Sequence, residues 1–154
     1  MKSVVVVYES QFGNTEQLAK EIAAGIEKTG EIRTFLSKPK EIEPTEIHAA
    51  DAILFGCPVH AGGPTRGMKK FIGKLGKEGL SGKLTACFET YMGDHKSRAV
   101  GKMEGMIAEK LSGLTLVKPG LSALVVGFRG PLADDALQKA REFGSDFGQR
   151  LLTS

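Results

Sequence analysis

The sequence predicts an α/β fold: a doubly wound, five-stranded parallel sheet of order 2-1-3-4-5 with helices on both faces. Two observations carry this expectation. Apolar strand-like runs alternate with helical stripes along the chain, a pattern that calls for parallel strands joined by right-handed crossovers. The first run, Val4-Val5-Val6-Val7-Tyr8, is apolar at consecutive positions, which marks a strand covered on both faces rather than one. The 154 residues are the length of one ordinary domain. With no second hydrophobic block and no internal repeat, residues 1–154 are expected to form a single domain.

Taken in order, the first strand stops at the small polar loop Ser10 to Thr15. Leu18, Ile22 and Ile26 then recur every four residues with Ala19 and Ala23 beside them, giving an amphipathic helix that Thr29-Gly30 closes. Glu31 to Leu36 reads as a second strand at the sheet edge, since it carries Glu31 and Arg33. Thr45 to Ala50 reads as a short helix. Asp51 to Gly56 is a third, buried strand that runs into Cys57 to Gly63. Pro64 suits the first position of the next helix, whose stripe is Met68, Phe71, Ile72 and Leu75. Glycines at 73, 76, 79 and 82 suggest a mobile, basic surface connector. Leu84 to Phe88 is the fourth strand, with Glu89 to Lys96 as its exit loop. A helix follows from Arg98 to Leu111. Leu114 to Val117 and Leu121 to Phe128 read as a fifth strand interrupted near Pro119-Gly120, and Leu132 to Leu151 as the closing helix.

Composition narrows the function. Hydrophobic residues make up 41% and charged residues 25%, ordinary for a folded soluble protein. The net charge of +3 comes with ten aromatics and no tryptophan; that is no nucleic-acid footprint. Cys57 and Cys87 form no C-x-x-C pair, so neither a disulfide framework nor a zinc site is expected. The amino-terminal apolar run is too short for a leader, and no stretch approaches the ~18 residues of a membrane span. A cytoplasmic protein is the expectation. Twenty glycines are nearly double the usual share of about 7%, which suggests loops that turn sharply or approach a ligand.

In a sheet of this order, ligands bind beyond the carboxyl ends of the strands where the winding reverses. The exits of strands one, three and four are therefore the candidate site: residues 10–15, 57–63 and 89–96. The sharpest is Ser10-Gln11-Phe12-Gly13-Asn14-Thr15, which sets hydroxyls, an amide and consecutive backbone N–H groups at a helix amino terminus, where an anion is favoured. No Lys or Arg lies between residues 3 and 19, so a phosphate there would be held by neutral hydrogen bonds. The competing reading is an ordinary helix capped by Asn14 or Thr15. Neither G-x-x-x-x-G-K-[ST] nor G-x-G-x-x-G follows the first strand, and Cys57-Pro58 stands where a phospho-accepting aspartate would be needed in a receiver domain. Cys57 with His60 three residues on lacks the glycine-flanked elbow of a nucleophile and reads as a buried thiol, as does Cys87.

The residues Ser10-x-Phe12-Gly13-Asn14-Thr15, Gly56-Cys57-Pro58 with His60 to Gly63, and Pro64 to Phe71 resemble the flavodoxins and flavodoxin-like FMN-binding proteins. The resemblance spans essentially the whole chain. It implies that Ser10, Gln11, Gly13, Asn14 and Thr15 hold the FMN phosphate. Pro58, Val59, His60, Ala61, Gly62 and Gly63 would line the ring near N5, and Glu89, Thr90, Tyr91, Met92, Gly93 and Asp94 its other face. Tyr91 is the aromatic expected to stack on the ring. Phe12 is read as a core plug, with a lid over the phosphate as the alternative.

The chain departs from the family pattern in lacking a tryptophan in the second loop and in being net positive. His60, Arg66, Lys69, Lys70, His95, Lys96, Arg98 and Arg129 are expected near the ligand edge, as a solvated rim or as a positive funnel for an acidic partner or anionic substrate. The resemblance implies an FMN-dependent redox protein that carries electrons between protein partners. Its alternatives are a small oxidoreductase acting on a quinone, porphyrinogen or NAD(P)H, and a flavin-free binding or hydrolytic domain on the same fold. The oligomeric state stays open.

Overall fold

The valine run forms β1 (Lys2–Tyr8), paired in parallel with β2 (Ile32–Ser37) on one side and β3 (Ala52–Pro58) on the other. The structure, a computed structural model, describes residues 1–154. β4 (Leu84–Tyr91) pairs in parallel with β3. The outer edge of β4 carries two short strands in succession, β5 (Thr115–Leu116) and β6 (Leu121–Leu124). The order is 2-1-3-4-5, with β6 continuing the fifth position along β4. The interruption expected near Pro119-Gly120 is present: the Gly120 N–H leaves the sheet and donates to Glu104 at 2.9 Å.

Side chains alternate across β1 as the pleat requires. Val4, Val6 and Tyr8 enter one apolar cluster with α1 (Asn14–Glu27) and α5 (Ala136–Leu152). Val5 and Val7 enter the opposite one with α2 (Pro44–Ala49), α3 (Arg66–Leu75) and α4 (Arg98–Lys110). Each fully buried valine or leucine contributes roughly 1.5–3 kcal/mol, and burial on both faces explains why the run needs no polar alternation. No helix is long and apolar enough to cross a membrane.

Several boundaries differ from the sequence expectation. Pro64 precedes α3 rather than opening it: Thr65 is the N-cap, and its hydroxyl accepts the Met68 N–H. Gly73 lies inside α3 rather than in a mobile connector, and Leu80 anchors the following turn in the core. β4 runs three residues past Phe88, because Thr90 pairs with Pro58 of β3 and Tyr91 with Leu124 of β6. The fifth-position strand ends at Leu124, so Val125 to Phe128 belong to a loop. The glycine excess is not confined to loops. A Cβ on Gly25 would lie 2.2 Å from the Arg141 carbonyl oxygen, and one on Gly144 2.1 Å from that of Ile22, so α1 and α5 cross backbone to backbone.

Candidate functional site

β1 delivers the chain into residues 10–13, and Gly13 turns it into α1 with φ 91°, a left-handed conformation suited to glycine. The Ser10 Oγ accepts the N–H of Gly13 at 3.1 Å and of Glu16 at 3.2 Å, which leaves its own proton free to point outward. The N-cap residue, Gly13, offers no side chain to α1. Asn14 turns its amide away to donate to the Arg129 carbonyl at 3.2 Å, and the Thr15 hydroxyl bonds the Thr90 hydroxyl at 2.8 Å. The capped-helix reading therefore fails. The N–H groups of Gln11 and Phe12, and those of Asn14 and Thr15 in the first turn of α1, have no acceptor among the loop and side-chain hydrogen bonds. A helix end with unfilled donors at the mouth of a cleft is suited to an anion.

The second wall is a tight hairpin. His60 and Gly63 exchange backbone hydrogen bonds of 2.8 and 3.1 Å, and Ala61 and Gly62 between them have φ of 50° and 77°. Two left-handed central residues make a two-residue I′-type turn. The Val59 N–H donates to the Thr90 carbonyl at 2.8 Å, tying this wall to the next. Thr90 and Tyr91, at the end of β4, form that third wall with Met92 and His95. Of the two bonded hydroxyls, Thr15 and Thr90, one donates to the other, so the second proton stays available to the cleft.

These walls enclose a cleft of about 270 Å³ lined by Ser10, Gln11, Phe12, Asn14, Thr15, Pro58, Val59, His60, Ala61, Gly62, Thr90, Tyr91, Met92, His95, Val125 and Phe128. Fourteen of these sixteen lie in the three strand exits that the sequence nominates. Gly13, Gly63, Gly93 and Asp94 are not in the lining: Gly13 shapes the first loop, Gly63 closes the hairpin and Gly93 turns with φ 58°. Glu89 is not in it either. It is fully buried in β4, and its carboxylate accepts the N–H groups of Ser97, Ala99 (3.0 Å) and Val100 (2.8 Å) at the start of α4. Phe12 is no core plug: it is 40% exposed and packs on Phe128 with ring centroids 5.2 Å apart.

From the sequence, His95 falls in the fourth-strand exit and the basic rim without a role at the ring, whereas Val125 and Phe128 read as strand residues. Val125 reaches the cleft because its N–H donates to the Tyr91 carbonyl at 2.8 Å, and the chain then loops out to Leu132. Lys70 leaves the rim altogether and lines a larger hollow of about 470 Å³ between α3 and the Pro39–Pro44 connection. Although larger, that hollow touches the strand exits only at Glu9 and takes in none of the residues 10–15 at the open end of α1. Cys57 is fully buried beside Met103, and burial pushes its thiol up to about 11; it is no nucleophile at neutral pH.

The flavodoxin domain family matches residues 5–130. The chain belongs to that family. Similar proteins include putative diflavin flavoprotein A 5 of Nostoc sp., 31% identical over 153 residues, and a flavodoxin of Clostridium saccharobutylicum, 30% identical over 87 residues. The first match covers 97% of this chain and 25% of the relative, the second 56% and 54%. The chain thus spans about a quarter and about half of the length of these two relatives. Among solved structures, a flavodoxin from the domain Archaea superposes with a TM-score of 0.84 at 25% identity, covering 97% of this chain and 99% of that one. The Flv1 flavodiiron core of Synechocystis shares the fold alone, with a TM-score of 0.80 at 22% identity over 99% of this chain and 36% of that one. Flavodoxins bind FMN, and the donor set at the open end of α1 in this flavodoxin domain fits a phosphate monoester.

Proposed function

We propose that the chain holds FMN in the 270 Å³ cleft and passes electrons to and from a protein partner. The reading rests on one observation: a helix end with free N–H donors opens into a cleft whose mouth is apolar and exposed. Ser10, Gln11, Asn14 and Thr15 donate to the phosphate, and Gly13 gives their loop its turn. The hairpin at Pro58 to Gly63 and the β4 exit at Thr90 to Met92 flank the ring, with Tyr91 on one face. Bound flavin supplies the redox chemistry itself, so no acid–base side chain is required of the protein.

At the mouth, Phe12, Met92, Val126 and Phe128 are 40%, 42%, 63% and 69% exposed. Clustered exposed apolar groups mark an interaction surface. His60, His95 and Arg129 flank them, which favours a partner whose docking face is acidic.

The test is titration of the purified protein with FMN, read by visible absorbance and by quenching of free-flavin fluorescence, followed by assay with electron donors. The expected result is stoichiometric binding, reduction by a ferredoxin-type donor and no steady NAD(P)H oxidation. Steady NAD(P)H oxidation with a quinone would replace the carrier reading with that of an oxidoreductase. Protein that is colourless and leaves FMN fluorescence unchanged would leave a flavin-free domain.

A further inference from the structure

The phosphate loop carries the wrong charge for its ligand. Residues 3–19 hold no Lys or Arg but do hold Glu9 and Glu16, so a phosphate monoester would join two carboxylates already present. Glu9 accepts a hydrogen bond from the Thr65 hydroxyl, and Glu16 accepts one from the Tyr8 hydroxyl at 2.9 Å. Lys20 lies 4.0 Å from Glu16 on the helix surface and serves that carboxylate. Hydrogen bonds to neutral donors stabilise a phosphate but do not cancel its charge.

A cation arrives from the other end of the chain. The loop after β6, residues 125–131, folds back on the phosphate loop through three contacts. The Arg129 carbonyl accepts the Asn14 amide at 3.2 Å. Phe128 packs on Phe12 at 5.2 Å. The Arg129 guanidinium sits 5.5 Å from the centroid of the Phe12 ring, a cation–π distance. Gly130 makes the approach possible: it has φ 113°, and a Cβ there would lie 2.7 Å from the Asn14 Oδ1. The guanidinium makes no salt bridge and donates no side-chain hydrogen bond. Its charge is uncompensated, and it is fixed beside a residue in the middle of the phosphate loop.

We infer that Arg129 is a specificity-determining residue that selects the phosphorylated flavin over the unphosphorylated one, with residues 125–131 as the clasp that presents it. The inference rests on the FMN reading above and assigns the cation that residues 3–19 lack. Phe12 then has a role that its exposure otherwise leaves without reason: its ring is the surface on which the guanidinium is held over the loop. Arginine at an exposed site is screened by salt, so the selectivity it confers falls as ionic strength rises.

The experiment measures dissociation constants of FMN and riboflavin for the wild-type chain, Arg129→Gln, Arg129→Lys and Gly130→Ala, at low and high salt. Arg129 is exposed, so its replacement leaves the core intact. The expected result is a fall of about tenfold in the FMN-to-riboflavin preference for Arg129→Gln, an effect of about 1.4 kcal/mol, with riboflavin affinity unchanged. Arg129→Lys retains most of the preference. Gly130→Ala, which changes no charge but displaces the clasp, loses it as Arg129→Gln does. The wild-type preference narrows with salt more steeply than that of Arg129→Gln. If Arg129→Gln weakens both flavins equally, the arginine only packs on Phe12 and the inference is overturned. Failure of the wild-type chain to bind either flavin would overturn the FMN reading and the inference together, whereas wild-type binding with an unaltered Arg129→Gln preference overturns the inference alone.

Discussion

The amino termini of α1 and α4 begin at the same edge of the sheet, and neither is capped by its own N-cap side chain. At α4 the protein fills the vacancy itself: the Glu89 carboxylate, brought in on β4 and fully buried, accepts the N–H groups of Ser97, Ala99 and Val100. At α1 no such carboxylate arrives. Glu16 lies in the first turn but is held by the Tyr8 hydroxyl and Lys20, and Ser10 satisfies only two of the donors. Two helix ends with the same dipole thus have opposite fates. On the proposed reading, the ligand site is the end from which the chain withholds its own anion.

The largest effect that tests this contrast is removal of the phosphate from the ligand. A hydrogen bond to a charged group contributes roughly 1.5–3 kcal/mol, and at least two of the free donors at α1 are expected to engage. Riboflavin should therefore bind the wild-type chain about 10³-fold more weakly than FMN, a difference of about 4 kcal/mol, measured by fluorescence titration. Equal affinities would mean that the open end of α1 holds nothing.

The converse test lies at α4. Glu89→Ala strands three N–H donors around a buried void, and destabilisation by roughly 3 kcal/mol is expected in urea unfolding. Glu89→Gln keeps an oxygen acceptor and should cost about half as much. If Glu89→Ala instead acquires stabilisation from inorganic phosphate, the vacancy at α4 has become a second anion site, and the comparison holds in its strongest form.

What could be read from the residues alone divides along the same line. The α1 end was legible because its parts are contiguous: an apolar strand, hydroxyls, Gly13 at the turn and a helical stripe within 20 residues. Its partner walls were legible in part, since Pro58 to Gly63 is a glycine-bearing strand exit. Glu89 was not, because an acidic residue after an apolar run reads as the start of a loop. Only the tertiary fold shows that β4 continues and that the α4 N–H groups, eight to eleven residues on, satisfy the buried carboxylate. Phe128 and Arg129 were illegible for a stronger reason. Their contact with the phosphate loop spans 115 residues of sequence, and nothing local marks it.

A smaller effect is expected at Ser10, which organises the α1 end without filling it. Ser10→Ala removes the acceptor for Gly13 and Glu16 and the hydroxyl proton that Ser10 leaves to the ligand. FMN affinity should fall about tenfold, or about 1.4 kcal/mol, with little change in global stability because the loop is at the surface. A loss confined to riboflavin would contradict the assignment of Ser10 to the phosphate.

The smallest expected effect asks what keeps the α1 end open. Tyr8 is buried and donates to Glu16 at 2.9 Å. Burial first, and the neighbouring Glu16 second, push its phenol up to about 12 from an ordinary 10. Because the folded value is the raised one, this bond stabilises the fold fully below about pH 10 and is lost as pH climbs through about 12. Ultraviolet titration of the native protein should show one phenol ionising only near that upper limit, and Tyr8→Phe should abolish that step. The same substitution releases Glu16, which sits in the same first turn as the free N–H groups and can then compete with the phosphate for them. FMN affinity should weaken about threefold, within the few tenths to 1 kcal/mol that a carboxylate gains at a helix amino terminus. If Tyr8→Phe binds FMN as tightly as the wild-type chain, Glu16 needs no restraint, and α1 stays open for reasons of backbone geometry at Gly13 alone.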